Sequence, residues 1–209
     1  AAKDAYFANG TIGMAVAEKT PIELDSYKKI MPDLNPRETV AYEKTAGNPE
    51  LRKIWKDKLL EKNPSLKDKQ ISLPILVPGL TAALSYVADL FVDENKPLLA
   101  ADPCWDNYEL IACARRGAEF HQFKCFDEKG LNLADLEKTM KEEAEKYGSV
   151  RVILNFPQNP SGYSPTKDEV QKITKIVKDI AESGKQVLVL SDDAYFGLNY
   201  EDDIEPQSL

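Results

Sequence analysis

A chain of 209 residues, 43% hydrophobic and 30% charged, can bury one large core with a smaller appendage, while a net charge of −8 and a pI near 4.9 exclude the basic footprint of a nucleic-acid binder. Three cysteines (Cys104, Cys113, Cys125) without C-x-x-C spacing exclude a disulfide framework and speak against a zinc site, so no metal is expected. The opening Ala-Ala-Lys-Asp lacks an apolar signal-peptide core, and the most apolar stretch, Ile75 to Val92, is interrupted by Pro78, Gly79 and Asp89; a cytoplasmic protein with no membrane span is expected.

Residues 1–41 carry Gly10, Gly13, Pro21, Pro32 and Pro36 with weak periodicity and read as an arm or small-domain segment; residues 42–209 read as a large domain. Asn48-Pro49 is a cap and first-turn pair, and Leu51, Ile54, Trp55, Leu59 and Leu60 recur at helical spacing up to Asn63-Pro64. Ile71 to Val77 predicts a short strand ending at Pro78-Gly79, and Thr81 through Val92 predicts a helix. A strand over Pro97 to Ala101 follows, then a helix over 106–116 stopped by Gly117, and a strand within Glu119 to Phe126 that holds the one histidine, His121. Asn132, with Asp135 three residues on, opens a long charged helix to Tyr147. Val150 to Leu154 predicts a strand, Thr166 with Glu169 a capping box for a helix over 167–183, and Val187 to Leu190 a strand covered on both faces. The acidic tail Glu201 to Glu205 reads as a solvated loop. Alternating strands and helices imply an α/β fold with a mostly parallel, doubly wound sheet and helices on both faces.

In such a sheet ligands sit beyond the carboxyl ends of the strands. Four loops occupy that position: Pro78 to Thr81, Asp102 to Trp105, Asn155 to Gly162, and Asp192 to Tyr195. Gly79 ahead of a helix start is either an ordinary turn or a place where backbone N–H groups meet a phosphate. Trp105 either fills a core or offers its face to a flat ring. Asn159-Pro160 fixes a polar turn, with a cis bond in keeping. Asp192, directly after an apolar run, is either solvated or paired with a positive group, because a buried lone carboxylate is costly.

The set G-x-T-x-A-L (Gly79 to Leu84), P-x-W-x-N (Pro103 to Asn107), N-x-P-x-N-P-x-G (Asn155 to Gly162) and D-x-A-Y (Asp192 to Tyr195) resembles the large domain of fold type I pyridoxal-phosphate enzymes, and within them the class I/II aminotransferases of the aspartate aminotransferase family. The resemblance implies that Gly79, Leu80, Thr81 and Ala82 bind the cofactor phosphate and that Trp105 stacks on its ring. It implies that Asp192 pairs with the ring nitrogen and that Asn159 and Tyr195 bind the ring's phenolic oxygen. Tyr42, in a segment similar to one whose tyrosine reaches the neighbouring subunit's phosphate, implies a homodimer. Gly13, in Asn9-Gly-Thr-Ile-Gly13, is similar to the substrate-side glycine. Amino acids and 2-oxo acids are the implied substrates.

Some positions depart from the family pattern. Ser161 stands where threonine is common, and Leu80 and Ala82 replace smaller or polar residues. No Lys or Arg follows Lys185, so the lysine that binds the cofactor covalently and the arginine that grips substrate carboxylate are expected outside this chain, which by itself is expected to be inactive. A β-lyase or decarboxylase on the same fold, or a non-catalytic aminotransferase-like effector domain, are the alternatives.

Overall fold

The computed structural model describes Tyr42–Glu128 and Gly130–Leu209; Gly13 lies outside the described residues. The chain divides into two compact units at the step from Gly79 to Leu80. In the first, helix α1 (Pro49–Lys62) begins where the Asn48 side chain accepts hydrogen bonds from the N–H groups of Glu50 and Leu51, with Pro49 in the first turn. That is the cap expected at a helix start whose first N–H groups have no partner of their own.

The strand predicted over Ile71 to Val77 does not form: the segment joins no sheet. The Pro74 carbonyl takes a 2.5 Å bond from Arg52 Nε, the Ile71 carbonyl a 2.9 Å bond from Lys56 Nζ, and Leu76 donates its N–H to Ala46. Helix α1 side chains thus satisfy carbonyls that a ladder would use, and Pro74 has no N–H to offer one. Gly47 fixes this packing, since at φ +92° a Cβ would sit 2.6 Å from Leu76 Cβ.

The second unit is built on four parallel strands: β1 (Leu98–Asp102), β2 (Phe120–Lys124), β5 (Ser149–Asn155) and β6 (Gln186–Asp192), in the order β2-β1-β5-β6. Helix α2 (Leu80–Phe91) leads into β1, a mixed helix links β1 to β2, and α4 (Leu133–Tyr147) and α5 (Lys167–Glu182) precede β5 and β6. That helix opens as α3 (Asn107–Glu109) and widens into π turns over Leu110–Arg115. A two-stranded ribbon, β3 (Phe126–Asp127) with β4 (Gly130–Leu131), precedes α4.

Side chains alternate along each strand, and this alternation sets two cores. Leu99, Val150, Val152 and Leu154 pack under α4 (Leu136, Met140) and α5 (Ile173, Ile176, Ile180). Leu98, Ala100 and Ile153 pack on the other face against Leu84 and Ala88 of α2 and against Tyr108 and Ile111. The doubly wound sheet is therefore present, with helices on both faces. Asn132 caps α4, and Thr166 with Glu169 forms the reciprocal capping box of α5. His121 lies on β2 between Glu119 and Glu143. The tail after β6 is tied down through its backbone: Lys167 N–H donates to Asp203, Lys167 Nζ to Asp202, and Glu205 N–H to Pro165.

Val187 to Leu190, expected to be covered on both faces, pack on both but are only half-buried. Among the described residues β5 is the one strand paired with β6, whose apolar residues pack against the cores on both faces, Val187 and Val189 on one and Leu190 on the other.

One buried group is poorly matched. Arg151 on β5 is 7% exposed; its Nη2 donates to Ser149 Oγ while Nη1 has no partner among the described residues. Burial lowers its pKa, against the attraction of Asp93 and Glu143. Arg151→Met should keep the packing of the stem and remove the unsatisfied donor, raising stability by about 1 kcal/mol in urea unfolding. A loss of that size instead would mean that a partner outside the described residues completes the guanidinium.

Candidate active site

From β1 the chain moves to β2 on one side, and β5 then joins β1 on the other. The sheet order therefore reverses between β1 and β5, and the carboxyl ends of such a pair splay apart and leave a crevice. A small cavity opens there, lined by Cys104, Tyr108, Asn155, Gln158 and Asn159 among others. Helix α2 ends where the chain turns into the start of β1, so its first residues, Leu80, Thr81 and Ala82, lie toward the same carboxyl edge of this unit. Gly79, at φ +96°, precedes that helix in a conformation that favours glycine.

Asp192, the last residue of β6, is 2% exposed. Its Oδ2 accepts a 2.5 Å bond from the Tyr108 hydroxyl and its Oδ1 a 3.1 Å bond from Ala194 N–H. Burial first, and the Asp192 charge beside it, push the Tyr108 phenol far above its usual pKa. Tyr108 therefore stays protonated and acts as a donor. No cation lies within ion-pair distance of Asp192 among the described residues, and each carboxylate oxygen keeps a lone pair. A buried carboxylate held only by neutral donors is suited to a cationic N–H.

The neighbouring loop is held by amide side chains. Asn155, buried at the end of β5, donates from Nδ2 to the Asp192 carbonyl (2.8 Å) and accepts at Oδ1 from Asn159 N–H (2.9 Å). Gln158 donates from Nε2 to the Pro103 carbonyl (2.6 Å) and accepts from Ser161 N–H and Oγ. The Asp102-Pro103, Phe156-Pro157 and Asn159-Pro160 bonds are all cis. Trp105 meets Tyr108 edge to face, with centroids 5.6 Å apart. Burial holds the Cys104 and Cys125 thiols at about 11, which leaves them protonated and unsuited to nucleophilic work at neutral pH.

Trp105, Asn159 and Tyr195 are thus on loops at the sheet edge where Asp192 ends β6, and Leu80, Thr81 and Ala82 open the helix directed to that edge. Gly79 ends the first unit, and Tyr42, 96% exposed, belongs to it as well. Tyr108, Asn155 and Gln158 escaped the reading of the sequence as working residues. A helix-start tyrosine three residues after Trp105 was the available signal for the first, and nothing in the sequence names its partner 84 positions away.

The profile of aminotransferase class I and II matches residues 15–208. The chain belongs to the class I and II aminotransferases. It is 29% identical over 212 aligned positions to a probable aspartate/prephenate aminotransferase of Rhizobium leguminosarum, covering 94% of this chain and 48% of that protein. To the aspartate aminotransferase of Sulfurisphaera tokodaii it is 27% identical over 163 residues, covering 77% and 38%. An aminotransferase structure from Anaerococcus prevotii shares the fold with a TM-score of 0.71 at 23% identity, over 81% of this chain and 43% of that one. The chain therefore spans less than half the length of these aminotransferases.

Next to the site, Asp193 has its pKa raised by burial, against the lowering effect of hydrogen bonds from Ser208 and Ser191. The folded state holds the Asp193 proton more tightly than the unfolded chain. Its contribution to stability is accordingly present in full below the unfolded carboxyl pKa and is lost as pH rises through the folded one. Asp193→Asn retains an oxygen to accept from both serines, and should raise the melting temperature at pH 7 while flattening its acid-side slope. An unchanged slope in differential scanning fluorimetry would remove this assignment.

Proposed function

We propose that this chain is the cofactor-holding part of a pyridoxal-phosphate-dependent aminotransferase that moves an amino group between an amino acid and a 2-oxo acid. The observation that carries the reading is Asp192: a buried carboxylate with two neutral donors, no cation among the described residues, and Asn159 and Tyr195 on loops at the same sheet edge. Pyridoxal phosphate, when bound, supplies an electron-accepting ring. Asp192 would hold the proton on its ring nitrogen, with the Tyr108 hydroxyl and the Ala194 N–H orienting the carboxylate. Asn159 and Tyr195 would hydrogen-bond the ring hydroxyl oxygen, and Trp105 would cover one ring face.

At the helix start the N–H groups and the Thr81 hydroxyl would bind the phosphate, with Gly79 freeing the turn before them. Tyr42 would reach the phosphate of a second subunit in a homodimer, and Gly13 would lie on the substrate side. Residues 1–41 would form an arm or small-domain segment, and 42–209 most of the cofactor domain. The names of the relatives suggest acidic or prephenate-like substrates. Among the described residues no helix is long and apolar enough to cross a membrane, and no group of side chains could hold a metal; a cytoplasmic enzyme is our reading.

The covalent lysine is assigned to the whole protein rather than to this chain. Mixing the chain with pyridoxal phosphate and reducing with borohydride should give no stoichiometric adduct at a single lysine, while saturable quenching of tryptophan emission reports noncovalent binding. A one-to-one adduct at one lysine here would overturn the assignment. In the whole protein, an amino acid with 2-oxoglutarate should yield glutamate; release of ammonia without glutamate would instead indicate the lyase alternative.

A further inference from the structure

Gln158 is 4% exposed and its side chain is fully engaged. Its Nε2 reaches across to the Pro103 carbonyl at 2.6 Å, two residues before Trp105, while Oε1 is fixed by Ser161 N–H at 2.9 Å and by Ser161 Oγ. Its backbone is closed as well, with N–H donating to Tyr163 (2.8 Å) and the carbonyl accepting from Gly162 (2.6 Å). Tyr163 is anchored in turn, its hydroxyl donating to Glu169 within the capping box of α5. One rigid loop therefore carries Asn159 and, through a single amide, also holds the loop that carries Trp105. These two loops follow different strands, β1 and β5, which the reversal of sheet order leaves splayed, and the Gln158 side chain spans them.

We propose that Gln158 is a positioning residue of the site, setting the spacing between the Trp105 ring and the Asn159 amide and so the width of the slot into which a flat ring fits. The ligand named rests on the cofactor reading above; the coupling of the two loops does not. A buried amide with both ends bonded has one geometry, and losing the donor end strands the Pro103 carbonyl and frees the Trp105 loop.

The test uses a Trp55→Phe background, in which Trp105 is the remaining tryptophan of two. In the absence of ligand, Gln158→Met should raise the acrylamide quenching constant of Trp105 about twofold, with far-ultraviolet circular dichroism unchanged, because a local opening replaces a fixed loop. Gln158→Glu at pH 8 has the same shape, still accepts from Ser161 and cannot donate to Pro103, so it should give the same rise if the methionine variant folds poorly. With pyridoxal phosphate, followed by equilibrium dialysis and its own absorbance, Gln158→Met should weaken binding about tenfold, but less than twofold once Trp105 is replaced by leucine, the non-additivity of residues that act through one another. Unchanged quenching in both variants, or effects that simply multiply, would overturn the proposal. If the parent chain binds no pyridoxal phosphate while quenching still responds to Gln158, the cofactor reading falls and the loop coupling stands.

Discussion

Asp192→Asn is expected to abolish most affinity for pyridoxal phosphate, by about 100-fold, while changing the stability of the ligand-free chain by less than about 1 kcal/mol. The asymmetry follows from the site. An asparagine oxygen can still accept from Ala194 N–H, and its amide can donate to the Tyr108 oxygen, so both contacts of Asp192 have counterparts. The loss is the negative charge, for which no cation is present among the described residues. Titrating the parent and the variant with pyridoxal phosphate, followed by tryptophan quenching, and unfolding both in urea would measure the two quantities. Equal affinity in the variant would remove the observation on which the function rests; a large loss of stability would show that the carboxylate is chiefly structural.

The second large effect falls on folding rather than binding. Leu99, 1% exposed in the middle of β1, sits opposite Val152 and within the core under α4 and α5. Leu99→Ala should cost about 3 kcal/mol, from lost burial together with an incompletely collapsed cavity. Urea unfolding should show a lower midpoint with an unchanged slope, since the surface exposed on unfolding is nearly the same. A cost below 1 kcal/mol would mean that the face between sheet and helices repacks freely.

What could be read in the sequence was mostly what is decided within a few residues. The caps at Asn48, Asn132 and Thr166 are local chemistry, and each helix starts where its cap predicts. The loops after β1, β5 and β6 were legible because short motifs mark them, and the alternation of strands and helices fixed their common edge, whereas the Pro78 to Thr81 loop follows no strand. The segment 71–77 was misread because a β-rich run needs a neighbouring strand, and whether α1 side chains take its carbonyls instead is not written locally. The same limit hid Tyr108, whose importance lies in a contact with a residue 84 positions away. Gln158 lies within the Asn155 to Gly162 motif but shows no task in the sequence, because its partner belongs to another strand's loop.

The pairing of β5 with β6 runs unbroken from Ser149 opposite Gln186 to Asn155 opposite Asp192. Since side chains change face at every residue, a slip of one position would turn Asp192 to the opposite side of the sheet. Under the proposed function the ladder is thus a ruler for the ligand as well as a source of cohesion. Molecules in which it is misread would still be compact and helical, yet blind to the ring. The stoichiometry at the end point of a binding titration would count them, as a fraction of sites below one.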